Sequence, residues 1–105
     1  MNKTDRELLE AAAKAAGIEL RYWSESQESF NLALTEPRRW WNPLADDGDA
    51  LRLAVRLRLE IDIHHTGIAI RTANGVKVVI YAEEQPDPYA ATRRAIVRAA
   101  AAMGK

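Results

Sequence analysis

Residues 46–64 read DDGDALRLAVRLRLEIDIH, and the spacing of apolar positions changes inside this stretch. Asp46, Asp47 and Asp49 stand at the head of Ala50-Leu51-Arg52-Leu53-Ala54-Val55-Arg56-Leu57. Carboxylates there can accept from the free N–H groups of a helix start and meet the positive end of its dipole, so a helix is predicted to follow. From Leu57 onward the period is two, with Leu57, Leu59, Ile61 and Ile63 on one face and Arg58, Glu60, Asp62 and His64 on the other. A strand is therefore expected to begin near Leu59.

Downstream, Gly67 is read as a turn and Ile68-Ala69-Ile70-Arg71-Thr72 as a strand. Asn74-Gly75 is read as a tight hairpin turn, and Val76 to Ala82 as the returning strand. Asp87 can cap a last helix opened by Pro88, where the missing proline N–H costs nothing, and Gly104 closes it; the helix spans Pro88 to Met103. Upstream, Pro37 and Pro43 bracket Arg38-Arg39-Trp40-Trp41-Asn42. Proline suits neither a helix interior nor a central strand, so this segment is read as a loop carrying two large aromatics. Before it, Ile18, Leu20 and Tyr22 alternate with Glu19, Arg21 and Trp23. After the polar residues 24–29, Phe30, Leu32 and Leu34 alternate again, which predicts a strand, a turn and a second strand. Thr4 and Glu7 form a capping box, Leu8, Leu9, Ala12, Ala13 and Ala16 recur at helical spacing, and Gly17 can end the helix, which predicts a helix over Asp5 to Ala16.

The resulting expectation is an α+β fold, an antiparallel sheet of about five strands with helices packed on it, in the order α-β-β-α-β-β(-β)-α. The 105 residues are read as a single domain, 1–105. The two helix-led hairpins give a faint α-β-β echo.

Fifteen basic and fifteen acidic residues cancel, which removes any global electrostatic reason to expect nucleic acid or an anionic membrane. Neutrality also weakens colloidal repulsion and leaves a homodimer open. Without cysteine there is no disulfide, thiolate nucleophile or cysteine zinc site. That composition suits a reducing compartment, and a cytoplasmic location is expected. The first seven residues lack the apolar stretch of a signal peptide, and no run approaches the roughly 18 apolar residues of a membrane span, so neither export nor membrane insertion is expected.

Candidate chemistry is sparse. His64 and His65 are the only imidazoles and, as strand neighbours, point to opposite faces, with Asp62 a second ligand at most for His64. The Asp46-Asp47-Gly48-Asp49 run lacks calcium-loop spacing and is accounted for by helix capping. Ser24, Ser26 and Ser29 lack a nucleophile-elbow context, and the scattered glycines form no phosphate loop. No catalytic residue, metal site or cofactor is assigned. Binding is assigned instead to Arg38, Arg39, Trp40 and Trp41 in the proline-bracketed loop, joined by Arg94 and Arg98 on the last helix. Guanidiniums beside aromatic rings serve protein interfaces and can also grip phosphates or stack on bases. The plainer readings are aromatic rings sealing the core and arginines on a solvated helix face.

Three segments, Thr4-Asp5-Arg6-Glu7-Leu8-Leu9, Trp41-Asn42-Pro43-Leu44-Ala45-Asp46-Asp47-Gly48-Asp49-Ala50-Leu51-Arg52-Leu53-Ala54 and Asp87-Pro88-Tyr89-Ala90-Ala91-Thr92-Arg93-Arg94-Ala95-Ile96-Val97, resemble short accessory proteins of tailed phages and prophages. More distantly, the chain is similar to NinX-type phage proteins. The resemblance implies a setting, the cytoplasm of a bacterial host cell during infection or lysogeny, and carries no catalytic residue with it. The function expected is non-enzymatic: binding of a host or phage protein, with host-directed or anti-defence action as one form. The alternative is a small nucleic-acid-binding protein using the Arg/Trp loop and the basic C-terminal helix.

Overall fold

Helix ends are where local sequence acts most directly. In the computed structural model, which describes residues 4–32 and 40–103, α1 (Asp5–Ala16) starts at a complete capping box. The Glu7 N–H donates to Thr4 Oγ1 at 3.2 Å, and the Thr4 N–H donates to Glu7 Oε1 at 2.9 Å. Gly17, at φ +70°, ends the helix in the left-handed conformation, and the Ile18 N–H closes back onto the Ala13 carbonyl at 2.9 Å. α2 (Asp47–Leu57) is capped by Asp46, whose carboxylate accepts from the Asp49 N–H at 2.8 Å. α3 (Pro88–Met103) starts after Asp87, which accepts from the Tyr89 N–H through its side chain and from the Ala91 N–H through its carbonyl.

The strands are β1 (Leu20–Ser24), β2 (Ser29–Leu32), β3 (Trp40–Trp41), β4 (Glu60–His64), β5 (Gly67–Arg71) and β6 (Lys77–Tyr81). The α+β class holds, but the single sheet of about five strands does not. The strands form two three-stranded antiparallel sheets, β1-β2-β3 (sheet A) and β4-β5-β6 (sheet B), in the order α-β-β-β-α-β-β-β-α. The difference begins at the segment read as a loop. Trp40 and Trp41 pair with Asn31 and Phe30 and complete sheet A as a two-residue edge strand, which Pro43 then stops. With α2 inserted between the third and fourth strands, no hairpin joins the two sheets.

Two further boundaries differ. Ile18 lies outside β1 because its N–H is spent on closing α1. Gly67 is the first residue of β5; the turn is His65-Thr66. A Cβ on Gly67 would stand 2.7 Å from the Ile80 carbonyl oxygen, so glycine is needed for close approach to β6. The Asn74-Gly75 turn is present, with Gly75 at φ +90° and Thr72 as its hub. The Val76 N–H donates to Thr72 Oγ1, and the Thr72 hydroxyl bonds the Asn74 side chain. The expected extension of the second strand to Leu34, and the closing role given to Gly104, lie outside the described residues.

α3 is the central element. It packs against α1, α2, β5 and β6, and its buried residues are mostly alanine: Ala91, Ala95, Ala99, Ala100 and Ala101, with Ile96 and Val97. Facing it, α1 buries Ala12, Ala13 and Ala16 around Leu9. Small side chains let helices pack closely, and the bulk is supplied from the sheets by Phe30, Leu32, Trp41, Ile68, Ile70 and Ile80, all in one core cluster.

Candidate interaction surface

β1 carries an irregularity between Leu20 and Tyr22. The extra residue, Arg21, reverses the alternation read from the sequence. Trp23 turns inward rather than outward, and Tyr22 turns to solvent. Inside, Trp23 meets Phe30 edge-to-face at 5.1 Å, Phe30 is opposite Trp41, and the Arg6 guanidinium covers Trp23 at 5.3 Å from the ring centroid. Outside, register aligns Tyr22, Asn31 and Trp40 across the three strands. Tyr22 and Trp40 meet edge-to-face at 6.2 Å with ring planes at 82°.

The neighbouring tryptophans therefore part. Trp41 is 3% exposed and belongs to the core, while Trp40 is half-buried beside Tyr22, which is 52% exposed. Of the two rings assigned to binding, only Trp40 lies on the outer face. Tyr22 was missed because strict alternation put it on the apolar side; the adjacent bulky pair Tyr22-Trp23 was the signal of a break. Arg38 and Arg39 lie outside the described residues.

The stretch from Trp41 to Ala54, the most distinctive in the sequence reading, is a structural clamp. Asn42 donates its backbone N–H to Asp49 Oδ2 at 2.9 Å, accepts the Leu44 N–H at Oδ1, and donates its side-chain amide to the Glu28 carbonyl. Glu28 sits in the turn between β1 and β2 at φ +49°, so this amide ties the sheet A hairpin to the start of α2. Asp49 is buried and also accepts from Arg52 at 3.0 Å, and Pro43 is fully buried. From α3, Arg93 reaches the Leu44 carbonyl at 2.8 Å and Asp47 at 2.6 Å.

The basic face expected on the last helix is largely spoken for. Arg94 bonds both carboxylate oxygens of Asp5 at 3.1 and 3.3 Å, joining α3 to the start of α1, and Arg93 is held as described. Arg98 is exposed. His64 pairs with Asp62 at 2.8 Å on the exposed outer face of β4, and His65 occupies the adjoining turn. Ser24 accepts the Gln27 N–H and Ser29 donates to the Gln27 carbonyl, so both serve the β1–β2 turn. Among the described residues no three or more His, Cys, Asp or Glu side chains stand where they could hold a metal ion, and no helix is long and apolar enough to cross a membrane. Compared with models of protein families, with curated proteins and with solved structures, the chain matches none.

Proposed function

We propose that this chain is a non-enzymatic binding protein that acts by protein–protein interaction through the outer face of sheet A, with Tyr22 and Trp40 as anchors. Arg38 and Arg39 directly precede Trp40 in the chain. The observation that carries this reading is the Tyr22–Trp40 pair: two large rings at 6.2 Å over the buried Asn31, Tyr22 exposed and Trp40 partly so, next to a tryptophan that is spent on the core. Rigid, partly exposed aromatics flanked by arginine are the residue types that dominate binding energy at protein interfaces. The segments that resemble phage and prophage accessory proteins support a host or phage protein as the partner, in a bacterial cytoplasm. The nucleic-acid alternative draws less support, since Trp41 is buried and Arg94 is held by Asp5.

The test is capture from a bacterial lysate with paired variants. The wild-type chain and Trp41→Phe are expected to retain one protein at fixed stoichiometry. Tyr22→Ala and Trp40→Ala, folded by circular dichroism, are expected to lose it. Retention by both alanine variants would refute the assignment of this face, and salt-sensitive retention of oligonucleotide would replace it with the nucleic-acid reading.

A further inference from the structure

Sheet edges are ordinarily closed, because an open row of N–H and C=O groups is a template for another strand. In sheet A, β1 is irregular at Arg21 and β3 is two residues long. In sheet B, β6 is closed at Tyr81: its N–H donates to Glu84 Oε1 at 2.9 Å, and its carbonyl accepts from the Glu84 and Gln85 N–H groups. Among the described residues, β4 has neither device. It is a regular five-residue edge strand, in unbroken register with β5.

The direction of its free groups follows from β5. The Thr66 carbonyl accepts from the Ala82 N–H, and the Thr72 N–H donates to the Val76 carbonyl, so the even-numbered residues of this strand turn their backbone toward β6. Gly67, Ala69 and Arg71 consequently face β4, bonding His64, Asp62 and Glu60. Ile61 and Ile63 are left with N–H and C=O directed to the open edge. Ile63 is 62% exposed although its register partner, Ile68, is in the core.

We propose that β4 pairs with β4 of a second copy of this chain, antiparallel, on a two-fold axis through Asp62. In this register Ile61 of each copy exchanges backbone hydrogen bonds with Ile63 of the other, so every open group of both residues is satisfied. The same pairing sets isoleucine against isoleucine on the inner face and Glu60 against His64 on the outer face. The two Asp62 carboxylates meet on the axis, each beside its own His64, and act as a brake. The result is a continuous six-stranded sheet. It makes no use of the Tyr22–Trp40 face, so it stands or falls independently of the function proposed above.

Analytical ultracentrifugation of the full chain from micromolar to millimolar concentration tests it. The wild type is expected to pass from monomer to dimer. Ile63→Pro removes an N–H that β5 does not use, and Ile63→Lys puts charge on the apolar seam; both are expected to remain monomeric with wild-type circular dichroism. Asp62→Asn removes the opposed charges and is expected to tighten the dimer about two- to fivefold. A monomeric wild type at millimolar concentration, a dimer unaffected by both Ile63 variants, or a looser Asp62→Asn dimer would each overturn the proposal.

Discussion

The chain builds a helix followed by three antiparallel strands twice, α1 with sheet A and α2 with sheet B, and the two versions end in the same way but are finished differently. Both helices close with a left-handed residue whose successor bonds back five residues, Gly17 and Ile18 in α1, Arg58 and Leu59 in α2. After that they diverge. Sheet B has a two-residue turn, regular ladders and a middle strand of Gly67 and Ala69 on its outer side, and it lies directly on α3. Sheet A has a longer turn, a break at Arg21 and a two-residue third strand, and it carries the aromatic outer face. The lesson is that one local plan yields a scaffold where the ladder is regular and a binding surface where irregularity redirects side chains.

The sharpest way to break the comparison is to treat the two adjacent tryptophans of sheet A alike. Trp41→Ala is expected to cost about 3–5 kcal/mol in urea unfolding, because it empties a buried aromatic site, whereas Trp40→Ala should cost about 1 kcal/mol. Equal losses would mean that the two rings do not divide between core and surface.

The next largest effect concerns the clamp between the halves. Asp49→Ala leaves the Asn42 N–H without its carboxylate and strips Arg52 of a buried partner, a loss of about 1–3 kcal/mol by thermal or urea unfolding. Asp49→Asn should recover part of that loss, since an amide oxygen still accepts from Asn42.

How much of this was legible in the sequence depends on the distance over which each feature acts. The three helix starts and the end of α1 were legible, since Thr4, Glu7, Asp46, Asp87, Pro88 and Gly17 each act within a few residues of the backbone group they satisfy; the left-handed Arg58 that ends α2 was not, because it falls in the period-two run. The β5–β6 turn was legible for the same reason. Assembly of the strands into two sheets was not, because Trp40-Trp41, which pairs with Asn31 and Phe30, lies inside the proline-bracketed segment and has no periodic pattern of its own. The sequence left core and surface open for Trp40 and Trp41 and set Tyr22 on the apolar side, since a bulge at Arg21 exchanges inward and outward positions along β1. The Trp41–Ala54 signature looked distinctive in sequence; its hydrogen bonds account for it as architecture.

The smallest effect has opposite signs in the two halves. Arg58 adopts at φ +54° the conformation that Gly17 adopts freely, so Arg58→Gly should stabilise the chain by about 0.5–1 kcal/mol. Gly17→Arg should destabilise it by about 1 kcal/mol. Paired melting curves for the two variants read the equivalence of the helix ends directly.

Sheet A turns Trp41 into the core and leaves Trp40 partly exposed on its outer face beside Tyr22. The most direct test is an NMR experiment on indole-labelled protein with a soluble paramagnetic agent, the three tryptophan signals being assigned by single substitution. The account predicts that the Trp40 signal broadens strongly while Trp41 stays sharp. Equal protection of both, or the reverse order, would contradict it.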